Sequence, residues 1–362
     1  MTKYYVTGGL GVVGSRFARS VLADAHHVTI LDAAEEPRNH WTAAQLTRDF
    51  GSRVDIRVAR METADLSDTE NHDFVLHAAA FTGIPQSTKD PLDDWKSNVD
   101  ATHNLLETFR KIKARGGHVP PTLALSSVKP YKVDEKVSVQ LDDQLVPMRY
   151  VADERWSGID ESCVLSPDEP YAASKMAQSG LCMAYARSYD LPVTVYRCSN
   201  LYGPAPCHGP RHGWLTWFCI SAALGWEIEV QGTGLQVRDM FHTDDITLSV
   251  LHAFKNLSAA NSAERSGMLS MQGHVYNIGG GKHNTTSVLE AVEMLRQMCP
   301  DLQVRRAPGR KHEDPIFVTN ISKLQHDTGW RGPVVSVQQG MESIYNWACQ
   351  HREQLAALYK DT

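Results

Sequence analysis

Two rhythms of apolar and polar residues run along the first 200 positions of this chain. Short β-prone runs recur at Tyr4 to Thr7, His27 to Leu31, Val54 to Ala59, Phe74 to Ala80, Leu123 to Ser127 and Val193 to Cys198. Between them lie helical patterns, from Ser15 to Leu22, from about Leu92 to Lys113 and from Tyr171 onward. The helix near Leu92 carries Asn98 and an apolar face of Val99, Leu105, Leu106 and Phe109. Strands alternating with helices predict an α/β doubly wound parallel sheet. Beyond Tyr202-Gly203-Pro204 the pattern loosens into Gly/Pro-rich loops and isolated helices, a composition shift that marks a second, smaller part. The stretch from Ser258 to Gly273, rich in Ser, Ala and Met, reads as an exposed loop.

The first strand runs straight into Gly8-Gly-Leu-Gly11-Val-Val-Gly14 and then a helix. Glycines there permit a tight turn, close approach of backbone to a pyrophosphate, and close packing of helix on strand. The helix start, with Val12 and Val13, offers free N–H groups and the positive end of a dipole to phosphates. The second strand ends in Asp32, 24 residues after Gly8. A carboxylate at that offset accepts from the adenosine ribose hydroxyls and repels a 2′-phosphate. No arginine follows it directly, Arg38 being the nearest, so the expected cofactor is NAD rather than NADP.

Tyr171-Ala-Ala-Ser-Lys175 places a phenol and an ammonium four residues apart, on one face if Tyr171 opens a helix. A phenol has an ordinary pKa of about 10, and a neighbouring cation favours its ionised form. The pair therefore suits proton transfer to and from a hydroxyl; the competing reading is a solvated helix face.

At 362 residues, with 42% hydrophobic and 22% charged positions, the chain can bury a large core in one unit or two closely packed ones. A net charge of −6 gives no electrostatic case for nucleic acid or an anionic membrane. Seven scattered cysteines without a CxxC or Cys/His spacing imply reduced thiols and a cytoplasmic setting, and no metal site. The chain enters a strand almost at once, so no signal peptide is expected, and no apolar stretch approaches the roughly 20 residues of a membrane span.

Together the glycine spacing and the Tyr171/Lys175 pair resemble the extended short-chain dehydrogenase/reductases acting on nucleotide sugars, over nearly the whole chain. The resemblance implies a Rossmann-type cofactor domain of residues 1–201 plus about 240–256. It implies a C-terminal α+β substrate domain of 202–239 plus about 257–362. It puts Asp65-Leu66 at the adenine and Ala78 and Ala79 beside the nicotinamide ribose. His77 reads as a packed strand-end histidine. The same likeness implies a homodimer or homotetramer through a four-helix bundle, built from the helices after Asn98 and after Tyr171.

Leu125-Ser-Ser127 ends a strand, where ligand chemistry sits in such sheets. In this family the catalytic hydroxyl lies four residues before a tyrosine, here Tyr131, which nominates Ser127 over Ser126. Lys175 is then expected to lower the Tyr171 pKa and contact the nicotinamide ribose. Sugar 4,6-dehydratases carry Asp-Glu after that serine, whereas this chain has Val128-Lys129. The 2-epimerases acting on CDP-linked deoxyhexoses resemble it more closely, with a lysine at the place of Lys129 and a similar Gly213-Trp-Leu-Thr-Trp-Phe218. Carried over residue by residue, the resemblance assigns Asn200 and Trp214 to the sugar side and Arg238 and Arg310 to a diphosphate. Trp217 and Phe218 read as core packing. The competing reading for the arginines is surface pairing with Asp239 and Asp314. The reading is thus an NAD-dependent nucleotide-sugar epimerase. A 4-epimerase, dehydratase or decarboxylase on the same scaffold, or a non-catalytic NAD-binding module, stand as alternatives. The chain departs from the family around Tyr131, flanked by Pro130 and Lys132, and in Pro204–His212.

Overall fold

The central strands of the main sheet are buried on both faces, and the Phe74–His77, Thr122–Ser127 and Val193–Cys198 strands have no exposed position. Parallel sheets covered by helices on both sides produce such continuous apolar runs. The structure is a computed structural model that describes residues 1–81, 84–133, 139–142, 149–206, 209, 213–258, 271–309 and 314–360. Arg310 lies outside the described residues, as do 259–270 of the expected Ser258–Gly273 loop and five positions of the Pro204–His212 stretch.

Seven strands form the sheet. From one edge they are Val54–Val58, His27–Asp32, Lys3–Thr7, Phe74–His77, Thr122–Ser127, Val193–Cys198 and Val275–Ile278, all parallel. The chain winds outward from Lys3–Thr7 in one direction, then crosses to Phe74–His77 and winds outward in the other. The doubly wound α/β fold expected from the sequence is therefore the fold observed. The switch point between Lys3–Thr7 and Phe74–His77 opens a crevice at the carboxyl ends of the strands.

One face of the sheet is covered by the helices Val12–Ala23 and Thr243–Ser258, whose Phe17, Val21, Ile246 and Val250 share one core. The other is covered by Ala101–Ala114 and Pro170–Ser188, through Leu105, Leu106, Phe109, Cys182 and Met183. The helix expected from about Leu92 is interrupted. Pro91–Trp95 leads into a π turn, Lys96–Asp100, before Ala101–Ala114 begins. Asn98 explains the bulge: its amide nitrogen reaches Phe81 O, Asp94 Oδ1 and Ser174 Oγ, while its oxygen accepts from Phe81 N. Such π turns cluster at functional sites.

The rest of the chain packs around a separate core in which the helices Trp214–Leu224 and Val337–Gln350 meet. It includes the parallel pair Ile228–Gln231 and Val304–Ala307. A small sheet has Val237–His242 paired with Thr285–Ser287, Ile316–Phe317 and Asn200–Tyr202. The expected division put everything after about 257 in this smaller part. Val275–Ile278 instead returns to the main sheet as its edge strand, register Val275 to Val195. Four residues without alternation carry too little pattern to distinguish a sheet edge from a loop strand.

Candidate active site

A cleft of about 1250 Å³ opens over the carboxyl ends of the strands. Pockets for single drug-sized ligands occupy about 300–1,000 Å³, so this one has room for a dinucleotide and a second ligand together. It runs from the glycine turn past Tyr171 to Glu229 and Arg305.

At the first end, Gly8 has φ +65°, and a Cβ there would lie 2.6 Å from Ala79 Cα. A Cβ on Gly14 would lie 2.4 Å from Gly8 O. Gly8, Gly11, Val12, Val13 and Gly14 all line the cleft, and Gly11 caps the helix with no side chain, leaving its first amides to a ligand. Asp32 accepts from Leu10 N and Ala34 N, both at 2.9 Å, which ties the glycine turn to the end of the second strand. Burial raises its pKa while those amides oppose the shift. Ala78 and Ala79 line the cleft, with Ala79 N donating to Thr7 Oγ1.

Asp65 and Leu66, expected at the adenine, lie outside the cleft lining. Asp65 faces water and caps a turn, its Oδ1 accepting from Ser67 N, and Leu66 is 1% exposed in the core. Ala59, Arg60, Met61 and Glu62 line the cleft instead. The reason is loop length: the strand ends at Val58, and the chain crosses the cleft directly after it. Arg60 there pairs with Glu35 at 2.6 Å, Glu62 at 3.2 Å and Asp93 at 3.3 Å.

Tyr171 opens the helix Pro170–Ser188, with Pro170 in its first turn. The Ser127 side chain lies beside its hydroxyl, and Ser127 Oγ accepts from Lys129 N at 3.1 Å. Ser126 points elsewhere, donating to Lys175 O at 2.9 Å. Alternation along the strand thus turns the two serines to different sides. Burial pushes the Tyr171 phenol well above its ordinary pKa; the Ser127 side chain draws it down, and Asp94, Cys198 and Glu169 add to the rise.

Lys175 was expected to lower the phenol's pKa, yet its own proton is engaged. Its Nζ donates to Leu125 O at 3.1 Å and Gln178 Oε1 at 2.8 Å. Burial brings its pKa down to about 8, against the pull of Cys198, Asp94 and Cys182. Gln178, three residues on, was missed by the sequence reading, although its i+3 spacing was visible. Its amide donates to Thr102 Oγ1 and lies 3.4 Å from His77 Nε2.

His77 joins this network. Its Nδ1 is 2.8 Å from Thr7 Oγ1 and its Nε2 2.8 Å from Thr102 Oγ1. Thr102 gives its own proton to Asn98 O, so the network assigns the imidazole proton to Nε2. Burial, reinforced by the Lys175 charge, brings the His77 pKa down to about 3, and the ring is neutral. It is a packed strand-end histidine off the cleft.

On the far side, Lys129, Asn200, Trp214 and Arg238 all line the cleft. Asn200 Nδ2 donates to Ser199 Oγ and Asp239 O. Arg238 and Asp239 point to opposite faces of their strand. Asp239 is buried, accepting from Ser199 Oγ, Thr319 Oγ1 and Gly280 N. Trp214 meets Phe218 edge-on with centroids 5.5 Å apart; Trp217 and Phe218 line the cleft as well as joining the core. On Ile228–Gln231, Glu229 and Gln231 share the cleft-facing side while Ile228 and Val230 face the core. Gln231 donates to Glu229 at 3.1 Å, and Arg305 spans Glu229 at 2.5 Å and Glu227 at 2.9 Å.

A glycine cradle, a carboxylate closing the second strand and a buried tyrosine beside a serine share one crevice, the arrangement of a dinucleotide-dependent enzyme. The chain belongs to the NAD dependent epimerase/dehydratase family, whose model matches residues 4–279, and its cofactor is NAD. It is 27% identical to CDP-paratose 2-epimerase of Salmonella typhi, over 95% of this chain and 98% of that protein. It is 24% identical to a dTDP-glucose 4,6-dehydratase of Escherichia coli, over 97% and 94%. Among solved structures, dTDP-glucose 4,6-dehydratase from Streptomyces venezuelae, crystallised with NAD, superposes with a TM-score of 0.77 at 25% identity, covering 98% of this chain and 99% of that one. UDP-glucuronic acid 4-epimerase from Bacillus cereus shares the fold, with a TM-score of 0.76 at 22% identity over 96% and 99%.

Proposed function

We propose that this protein is an NAD-dependent epimerase of a nucleotide-linked hexose or deoxyhexose, acting at C2 of a CDP-sugar. The observation that carries the reading is the pair of residues directly after Ser127. Val128 is 5% exposed and packs with Tyr131, Ile159 and Phe317, while Lys129 lines the cleft. An acid and base for eliminating water, as Asp-Glu at those positions would provide, are therefore missing there. The 27% likeness to CDP-paratose 2-epimerase points the same way.

Bound NAD would supply hydride acceptance and return at a carbinol carbon. It would be held by the Gly8–Gly14 turn, Asp32 and the Ala78-Ala79 edge, with Lys175 near its ribose. Tyr171 takes the proton of the sugar hydroxyl and later gives it back. Ser127 donates to the same oxygen as it gains carbonyl character. Arg238, joined by Arg310, binds the diphosphate, and Asn200 and Trp214 bound the sugar. Lys129 holds the sugar with C2 toward the cofactor. At the far end, the carboxylates of Glu229 and Glu227 accept hydrogen bonds only, which suits a base carrying an exocyclic amine, such as cytosine.

The dehydratase relatives favour a second reading, another reaction on the same scaffold. Incubation with CDP-, UDP-, GDP- and dTDP-sugars in heavy water, with products read by NMR, separates them. Direct hydride return inverts a carbinol without deuterium at carbon; elimination or enolisation incorporates it. Inversion at C4, or deuterium in the product, sinks the C2 proposal.

Three further features belong to the reading. Residues 1–201, about 240–256 and the returning Val275–Ile278 strand form the cofactor part, the remainder the substrate part. The helices Ala101–Ala114 and Pro170–Ser188 lie side by side and pair across a homodimer or homotetramer. The free thiols of Cys163, Cys182, Cys198, Cys219, Cys299 and Cys349 suit a cytoplasmic setting.

A further inference from the structure

Asp94 is a carboxylate with no part in the proton and hydride transfers, and it has no exposed surface. It stands on the short helix Pro91–Trp95, where the chain enters the π turn. Three neutral donors converge on it. Ser87 Oγ lies 2.8 Å and Ser174 Oγ 3.2 Å from its Oδ2, and Asn98 Nδ2 lies 2.8 Å from its Oδ1. Ser174 is three residues after Tyr171, and its Oγ is also 2.9 Å from Tyr171 O. Asn98 Nδ2 closes the ring by donating to Ser174 Oγ at 2.9 Å. A buried carboxylate persists only where such donors replace its lost water.

We propose that Asp94 is a positioning residue for the proton-transfer step: through Ser174 it fixes the first turn of the catalytic helix, and it sets a carboxylate charge beside Tyr171 and Lys175. The inference rests on Tyr171 being the proton-transfer group. Asp94 raises both pKa values, so its charge sets how readily the phenol releases its proton and favours the charged lysine. The other groups facing Tyr171 are Ser127, Cys198 and Glu169, and those facing Lys175 are Cys198, Cys182 and the neutral His77. Both thiols are themselves raised by burial to about 12, so they stay neutral at working pH. Glu169, just before the helix, is the other carboxylate among them. Asp94 is raised by burial and by Asp93, and lowered by Ser87, Ser174 and Lys175.

The experiment follows phenolate absorbance during alkaline titration of the NAD-loaded protein, each trace corrected by its Tyr171→Phe counterpart so that one tyrosine is read. In Asp94→Asn, phenolate should appear about half a pH unit or more below the parent onset. Asp94→Ser, a second neutral replacement, is read alongside should Asp94→Asn fail to fold. Ser87→Ala removes one donor but keeps the charge, and should titrate with the parent. If the neutral variants titrate with the parent, or Ser87→Ala shifts as far as they do, the proposal is overturned. No sugar is added, so this result stands apart from the substrate panel: an unproductive panel counts against the function, and an unmoved onset counts against Asp94.

Discussion

Ser126 and its immediate neighbour Ser127 face different ways: Ser126 donates to the Lys175 carbonyl, while Ser127 lies beside the Tyr171 phenol and accepts from Lys129 N. The proposed function assigns chemistry to Ser127 and scaffolding to Ser126. Ser127→Ala and Tyr171→Phe should each lower kcat by about 10² to 10⁴-fold. Ser126→Ala should cost about 1 kcal/mol of stability and leave turnover within a fewfold of the parent. Steady-state kinetics with denaturant melts on the three variants check this, and a Ser126→Ala loss matching Ser127→Ala would reverse the assignment.

Gly14 has no space for a side chain, since its Cβ would sit 2.4 Å from Gly8 O. Gly14→Ala should purify with little NAD and melt at a lower temperature than the parent. Gly180, on the outer part of the catalytic helix, has nothing within 4 Å of such a Cβ. Gly180→Ala should keep its NAD and gain up to about 1 kcal/mol. Cofactor content of the purified proteins separates the two sites.

His77 is held neutral, with its pKa brought down to about 3 by burial and by Lys175. In the unfolded chain it titrates near 6.5, so between those values the unfolded state binds more protons and stability falls as pH falls. The loss should reach about 2 kcal/mol between pH 6.5 and 5. His77→Gln removes that titration. It should be less stable than the parent at pH 7, with a shallower acid dependence over the same interval. Urea midpoints measured across that range decide it; parallel curves would show that other groups govern the acid limb.

Glu229 is braced by Gln231 and Arg305 at the far end of the cleft. If it reads an exocyclic amine, Glu229→Gln should raise KM for a CDP-sugar about 10-fold or more, with kcat little changed. The penalty against the matching UDP-sugar should shrink. Equal KM changes for both nucleotides would assign Glu229 to the scaffold alone.

Lys129 lies in the cleft directly after Val128. Lys129→Met keeps most of the length and removes the charge. It should lower turnover at C2 by at least about 10-fold, or release product altered at another carbon, as seen by NMR. Unchanged rate and regiochemistry would sink its assigned role.

How much of this was legible in the residue order depends on the range of the signal. The glycine turn, Asp32 and the Tyr171/Lys175 pair are written in spacings within one strand–turn–helix unit, and the fold keeps those spacings. Ser127 over Ser126 was also readable, because alternation along a strand is local. That Arg60, Met61 and Glu62 line the cleft ahead of Asp65 was not readable, because where a loop turns depends on what it packs against. The Lys175–Gln178–Thr102–His77 chain and the carboxylate at Asp94 assemble from separate elements. No window along the sequence contains them, and a buried aspartate preceding a helix looks like any capping residue. The return of Val275–Ile278 to the sheet was hidden for the same reason.

That returning strand also governs how the chain is born. Until Val275–Ile278 emerges from the ribosome, the Val193–Cys198 strand has an open flank, with backbone donors and acceptors bare on one side. Roughly eighty residues separate the two, which at 5–20 residues per second is on the order of ten seconds of synthesis. A nascent chain paused in that interval is an unsealed β-edge, the geometry that recruits a neighbouring chain. Premature termination before residue 275 would thus yield an aggregation nucleus, whereas the completed sheet ends in a four-residue edge whose outer groups are met by Glu161 and Lys323.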